Sequence, residues 1–172
     1  MRTTRQSGVT LIELLVTIGI AAVLLTLALP NFSAAMRSSR VATAANTLLS
    51  TINFARSEAL RSKDVAHLCP SSDGISCGGD WNSGVMVWTD ENRSGSMDAG
   101  EIRRVVAAST GIRLSASGTG NELSFDNFGR LVGGGTPAFT VRPDECTAGT
   151  QLQRSITINQ IGRATVAREN CQ

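Results

Sequence analysis

Gly8-Val9-Thr10-Leu11-Ile12-Glu13-Leu14-Leu15-Val16-Thr17-Ile18-Gly19-Ile20-Ala21-Ala22-Val23-Leu24-Leu25-Thr26-Leu27-Ala28-Leu29-Pro30 decides how this chain is built. From Val9 to Leu29 the only charged side chain is Glu13. As a helix rising ~1.5 Å per residue, the run covers roughly the ~30 Å hydrocarbon core of a bilayer. It exceeds the ~7–15-residue apolar stretch of an ordinary secretory signal, and no Ala-x-Ala-type cut site follows it. Arg2 and Arg5 stand in front. A positive N-terminal flank predicts that this end stays cytoplasmic while the rest is translocated. Glu13 is costly at such a position, so a partner for its carboxylate is expected.

The rest of the chain reads as one compact unit. The whole chain of 172 residues carries 16 Lys plus Arg against 14 Asp plus Glu, a formal charge of +2, and that length suits a single domain with an appendage. One His and no Tyr leave little material for His-dependent catalysis or a multi-His metal site. There is no Gly-x-Ser-x-Gly, phosphate-binding loop or nucleotide fingerprint, and His67 has no recognisable acid or nucleophile partner in the sequence. The chain therefore reads as a non-enzyme without a cofactor.

Gly8-Val9-Thr10-Leu11-Ile12-Glu13-Leu14, after a short basic leader, resembles the class III signal of type IV pilins and type II secretion pseudopilins. The resemblance implies cleavage between Gly8 and Val9 by a prepilin peptidase and methylation of the new amine at Val9, where the family usually has Phe or Met. Gly before the scissile bond leaves the peptidase unobstructed. The freed Val9 amine is four residues from Glu13, a neighbouring helical spacing. In a filament, Glu13 of an incoming subunit would neutralise the Val9 amine of its neighbour. Pro30 removes a backbone donor and should kink or loosen the helix; the resemblance also places a Pro here. Losing residues 1–8 removes Arg2 and Arg5, so the +2 belongs to the leader and the mature side chains balance at zero.

Residues 31 to about 62 continue as helix, with Ala45, Leu48, Leu49, Ile52, Ala55 and Ala59 at i, i+3, i+4, i+7 spacing. Arg56 and Glu58 read as a solvated face. Asn53-Phe54-Ala55-Arg56-Ser57-Glu58-Ala59-Leu60-Arg61 resembles the corresponding segment of the GspH/FimT subfamily. Beyond Val65, strand candidates at 85–88, 102–106, 112–114, 122–125, 138–141 and 155–158 are separated by Gly, Ser, Asn and Asp. Phe125-Asp126-Asn127-Phe128-Gly129-Arg130 and Ile158-Asn159-Gln160-Ile161-Gly162-Arg163 share a strand, a polar stretch and Gly-Arg. The fold class is α+β, a long N-terminal helix packed on antiparallel sheet, and the resemblance implies the pilin fold. The expected divisions are a leader (1–8), a transmembrane and filament-core helix (9–29), its periplasmic half (30–62) and a β-rich domain (63–172).

Cys69, Cys77, Cys146 and Cys171 lie on the translocated side, where disulfides persist. Three pairings are possible. The local one, Cys69–Cys77 with Cys146–Cys171, closes a small loop after the helix and pins the C-terminal tail. Spacings of 8 and 25 fit no common zinc pattern.

Two ligand sites are candidates. Asp90-Glu91-Asn92-Arg93-Ser94-Gly95-Ser96-Met97-Asp98-Ala99-Gly100-Glu101 fits the calcium-loop template through Asp90, Asn92, Ser94, Asp98 and Glu101. Its flanks read as strands, however, and such a hairpin tip needs no ion, so no metal is expected. The second is DNA. Some FimT-like pilins capture DNA through a C-terminal Gly-Arg-x-Arg. Here the stretch is Gly162-Arg163-Ala164-Thr165, with Arg154 and Arg168 as further phosphate ligands. The resemblance makes the chain a minor pilin placed near the filament tip, or alternatively a secretion pseudopilin or a DNA receptor for transformation. The implied partners are other minor pilins, the major pilin or pseudopilins, the prepilin peptidase, the inner-membrane assembly platform and inner-membrane lipid. The chain would sit in the inner membrane with its domain in the periplasm, then enter a pilus or pseudopilus.

Overall fold

The computed structural model describes residues 8–172, with the side chains of 27–31 outside the description. Helix α1 runs Leu11–Ser62. Thr10 opens it: its Oγ1 accepts from the Glu13 amide at 3.4 Å and its carbonyl from the Leu14 amide at 3.2 Å. A hydroxyl cap with an acid three residues on is a strong helix start. Lys63 stops it by turning left-handed, φ 62°, while its amide still reaches the Ala59 carbonyl. This is the αL termination that usually falls to Gly.

The chain divides into two compact units, one ending at Arg37 and the other spanning Ser38–Gln172. In the first, Leu11, Ile12, Leu15, Ile18, Leu24 and Leu25 are all exposed. Among the described residues no helix is long and apolar enough to cross a membrane; the apolar run of the sequence continues to Leu29, through side chains outside the description.

The second unit contains β1 (Ala66–Pro70), β2 (Gly84–Thr89), β3 (Ile102–Ala107), β4 (Ile112–Ser117), β5 (Leu123–Phe125), β6 (Ala138–Pro143), β7 (Gln153–Ile158) and β8 (Ala164–Glu169). They form two four-stranded antiparallel sheets, ordered β3-β2-β1-β5 and β4-β6-β7-β8. Six strands match the sequence pattern and two extend it. β1 escapes because both faces are buried, so apolar–polar alternation is missing, and it ends in Pro70. β8 escapes for the opposite reason: it is a sheet edge, mostly exposed, with no buried face to impose a period.

One core joins helix and sheets. Val41, Ala45, Leu48, Ile52, Ala55 and Ala59 of α1 pack with Leu68, Val87 and Phe125 of one sheet and Phe139, Val141, Ile156 and Ile158 of the other. Alternation along β1 and β2 sends Cys69, Met86 and Trp88 to the opposite face, where they form a second small cluster with Met97 and Ile102.

Candidate functional site

Glu13 sits in the first turn of α1, where a carboxylate complements the helix dipole. It and Val9 are both exposed. Position 30 falls within α1, but the Pro30 side chain is outside the description, as are Arg2 and Arg5.

The C-terminal end of α1 departs from the expected solvated face. Glu58 is 6% exposed. Its carboxylate accepts from Arg61 Nε at 2.9 Å and lies 3.7 Å from Arg103 Nε of β3. Arg103 also pairs with Glu91 and donates to Thr89 Oγ1 at 2.9 Å. The hydrogen bond from Arg61 holds the Glu58 carboxyl below its usual range, against the opposing effect of burial. Glu58 lies between Ala55 and Ala59 on the helix face that meets the sheet, so tertiary packing, not helical period alone, decides its burial.

Arg56 departs in the same way. Its Nε donates to the Gly129 carbonyl at 2.9 Å. Gly129 closes the turn after β5, and Gly162 closes the turn between β7 and β8. The two turns have the same design. Asp126 Oδ1 accepts from the Arg130 amide at 2.8 Å, and Asn159 Oδ1 from the Arg163 amide at 2.9 Å. In each, the Gly amide donates back to the carbonyl of that Asp or Asn. Both glycines have positive φ, 71° and 76°. The turns also touch: the Leu131 amide donates to the Gln160 carbonyl at 3.1 Å, and a Cβ on Gly162 would collide with the Gly129 carbonyl oxygen. The shared Asx-x-x-Gly-Arg spacing was visible in the sequence; its stacking beneath a helix arginine was not.

Disulfides join Cys69 to Cys77 and Cys146 to Cys171, the local pairing. The first closes a loop in which Asp73 accepts from the amides of Ile75 and Ser76 and the hydroxyls of Ser71 and Ser76. These bonds hold the Asp73 carboxyl far below its usual range. The second fixes the residues just beyond β8.

A comparison with protein-family models finds "Type II transport protein GspH" over residues 44–162 and "Prokaryotic N-terminal methylation motif" over residues 3–29. The chain belongs to the GspH family. Two crystal forms of the type IV minor pilin FimU of Pseudomonas aeruginosa (strain PAO1) have a similar fold. The P21 form matches with a TM-score of 0.60 at 21% identity, covering 76% of this chain and 93% of that one. The P65 form gives 0.53 at 20% identity, covering 75% and 97%. No curated protein sequence matches significantly. The α+β arrangement is thus the pilin fold. GspH-family chains are structural subunits of the minor pilin and pseudopilin type, which assemble with other pilins.

The ligand candidates look different on this GspH-type domain. In the loop after β2, Asp90 accepts from the amides of Ser94 and Gly95, both at 2.9 Å. Glu101 accepts from those of Asn92 and Asp98, at 3.2 and 3.1 Å, and Asn92 donates to Asp98. Ser94 Oγ donates to the Ser96 carbonyl. The flanks are β2 on one side and a 3-10 turn, Ala99–Glu101, leading into β3 on the other. Among the described residues no group of three or more His, Cys, Asp or Glu could hold a metal ion. The oxygens that match the calcium template are turned inward as loop-stitching acceptors.

Arg163 and Arg168 are exposed. Arg154 is not the free phosphate ligand expected of it. It pairs in register with Arg168, is 5% exposed, and donates to the carbonyls of Gln153 (3.1 Å) and Gln151 (3.5 Å). It lies on the same inward face of β7 as Ile156 and Ile158.

His67 also has partners that the sequence hid. It stacks on Trp88 at 4.1 Å, and its Nδ1 faces both the Glu122 carboxylate and Ser124 Oγ, the latter at 3.1 Å. The antiparallel register sets Ser124 opposite His67. A catalytic Ser-His-acid relay needs the acid and the nucleophile on different ring nitrogens. Here both meet the same one, and the cluster serves to tie β5 to β1.

Proposed function

We propose that this chain is a minor pilin subunit, cleaved after Gly8 and methylated at Val9, which lies in the inner membrane and then enters a filament. What carries the reading is the joining, on one chain, of a methylation motif over residues 3–29 and a GspH domain over residues 44–162. Residues 1–8 act as leader, 9–29 as membrane and filament-core helix, 30–62 as its periplasmic half and 63–172 as the β-rich domain. A membrane or a neighbouring helix covers the exposed apolar residues of 11–26. Glu13 sets register by neutralising the Val9 amine of the adjacent subunit, and Pro30 loosens the helix during packing. The prepilin peptidase, the assembly platform and the other pilins are its partners, and its place is near the tip. No catalysis is assigned to it.

The family model's description favours a second reading, a type II secretion pseudopilin, in which the same chemistry builds a short periplasmic filament. A third role, DNA capture, rests on exposed Arg163 and Arg168. One experiment separates these. The chromosomal gene is replaced by a Glu13→Ala version, and piliation, protein secretion and DNA uptake are scored together. Mass spectrometry of the wild-type chain reports whether it begins at methylated Val9. Loss of piliation alone supports the minor pilin. An intact residue 1–8 leader with all three phenotypes unchanged overturns the filament reading.

A further inference from the structure

The two stacked turns present large apolar side chains at equivalent positions, immediately before each glycine. Phe128 is 67% exposed and Ile161 62%. Neither turn can move aside freely. Each is closed by its own Asp or Asn, they are bonded to each other through Leu131 and Gln160, and the Gly129 carbonyl is held by Arg56. Leu60 of α1, half exposed, approaches the same place: a Cβ on Gly129 would lie 3.3 Å from its Cδ1. Rigid, preorganised apolar groups exposed on a folded domain are the form that interface anchors take.

The surrounding charges identify the kind of occupant. Arg130 and Arg163 follow the two glycines and are exposed, with the Arg130 guanidinium over the Phe128 ring at 5.5 Å. Beside them, Asp64, Asp90 and Asp126 line a cavity together with Arg93 and Lys63. Four cations, Arg130, Arg163, Arg93 and Lys63, interleaved with three carboxylates form a mixed pattern. A uniform polyanion, whether nucleic acid or an anionic lipid surface, would leave the three carboxylates unmatched. A protein surface can match it charge by charge around an apolar centre.

We propose that the stacked turns Asp126–Arg130 and Asn159–Arg163 are a docking face for the globular domain of a neighbouring pilin subunit. Phe128 and Ile161 form its centre, and Arg130 and Arg163 pair with carboxylates of that neighbour. The proposal rests on the filament reading.

The test places the photo-crosslinking residue p-benzoylphenylalanine at position 128, at position 161 and, as a reference in α1, at position 12. Each full-length chain is expressed in its native cell. Probes at 128 and 161 should form adducts with a pilin-family subunit identified by mass spectrometry. Combining either probe with Arg130→Glu plus Arg163→Glu should lower the adduct yield about tenfold or more, while thermal unfolding of the charge-reversed chain stays near that of the parent. Pilin adducts from position 12 but none from 128 or 161, or adducts there with DNA or lipid only, overturn this proposal and leave the filament reading standing. Absence of pilin adducts from all three positions removes both. An adduct yield that charge reversal leaves unchanged overturns the assigned pairing of Arg130 and Arg163.

Discussion

Gly162 packs directly on the backbone of Gly129, so closely that a Cβ on Gly162 would overlap the Gly129 carbonyl oxygen. The same Cβ would come within 3.0 Å of Arg56 Nε, which donates to that carbonyl. Gly162→Ala therefore meets two penalties, a left-handed φ of 76° and a backbone collision. Gly95→Ala makes the natural control: φ is 75°, and nothing lies within 4 Å of the new Cβ. The control should lose about 1–2 kcal/mol for backbone conformation alone. Gly162→Ala should lose a further 1–3 kcal/mol or so for overpacking. Thermal unfolding of the full chain in detergent measures both, and equal losses would remove the stacking argument.

Arg56 gives a second test of the same junction. Truncating it to Ala strips the buried Gly129 carbonyl of its guanidinium donor, at a cost of about 1–3 kcal/mol. Lys should rescue little, because an ammonium does not reproduce the planar Nε geometry. A Lys variant as stable as the parent would show that charge, not the directed bond, holds the turns.

These two residues also mark the boundary of what the sequence reveals. Helix α1 and six strands follow from local pattern, because each is decided by neighbours a few positions apart. The burial of Glu58, the stacking of the Gly-Arg turns, the inward placement of Arg154 and the His67–Glu122 contact are decided by residues far away in the chain. Arg56 reaches a carbonyl 73 positions on. No helical period encodes such a contact. The repeated Asx-x-x-Gly-Arg spacing announced two equivalent turns but not that they would meet.

Acid should destabilise the domain through carboxylates whose folded pKa is depressed. Glu58 is lowered first by its hydrogen bond from Arg61, Asp73 by the Ile75 amide and its other donors, and Glu122 by the hydrogen bond from His67. A depressed folded pKa gives stability that is fully present above the unfolded value, near pH 4, and is lost as pH falls through the folded value. The melting temperature should thus hold on the acid side down to about pH 5 and then decline steadily. Asp73→Asn should flatten the steepest acid end of that decline. An unchanged profile would show that ionisation of Asp73 is not linked to folding.

The two disulfides should differ in weight. Cys69–Cys77 spans 8 residues and Cys146–Cys171 spans 25. Loop-closure entropy alone assigns them about 2.5 and about 3.5 kcal/mol. The longer bridge also anchors the segment after β8, an edge strand with little burial of its own. Cys146→Ser plus Cys171→Ser should therefore lower the melting temperature more than Cys69→Ser plus Cys77→Ser. Amide exchange in β8 should rise selectively. Uniform exchange across the sheet would indicate global rather than local loosening.

Calcium is expected to leave the loop after β2 unchanged. A cation there would have to recruit Asp90, Asn92, Asp98 and Glu101, whose oxygens already accept from Ser94, Gly95, Asn92 and Asp98 at 2.7 to 3.2 Å. Turning them outward would orphan several backbone amides, each costing about 1–3 kcal/mol if buried and less where water can replace the bond. A genuine site at one hundred times its dissociation constant would add about 2.7 kcal/mol, roughly 5–10 °C for a domain of this size. Millimolar calcium should instead shift the melting temperature by less than about 1 °C. Asp90→Asn should weaken the loop with or without the ion, since it removes one charged acceptor for two amides. A calcium-dependent rise that Asp90→Asn abolishes would restore the metal reading.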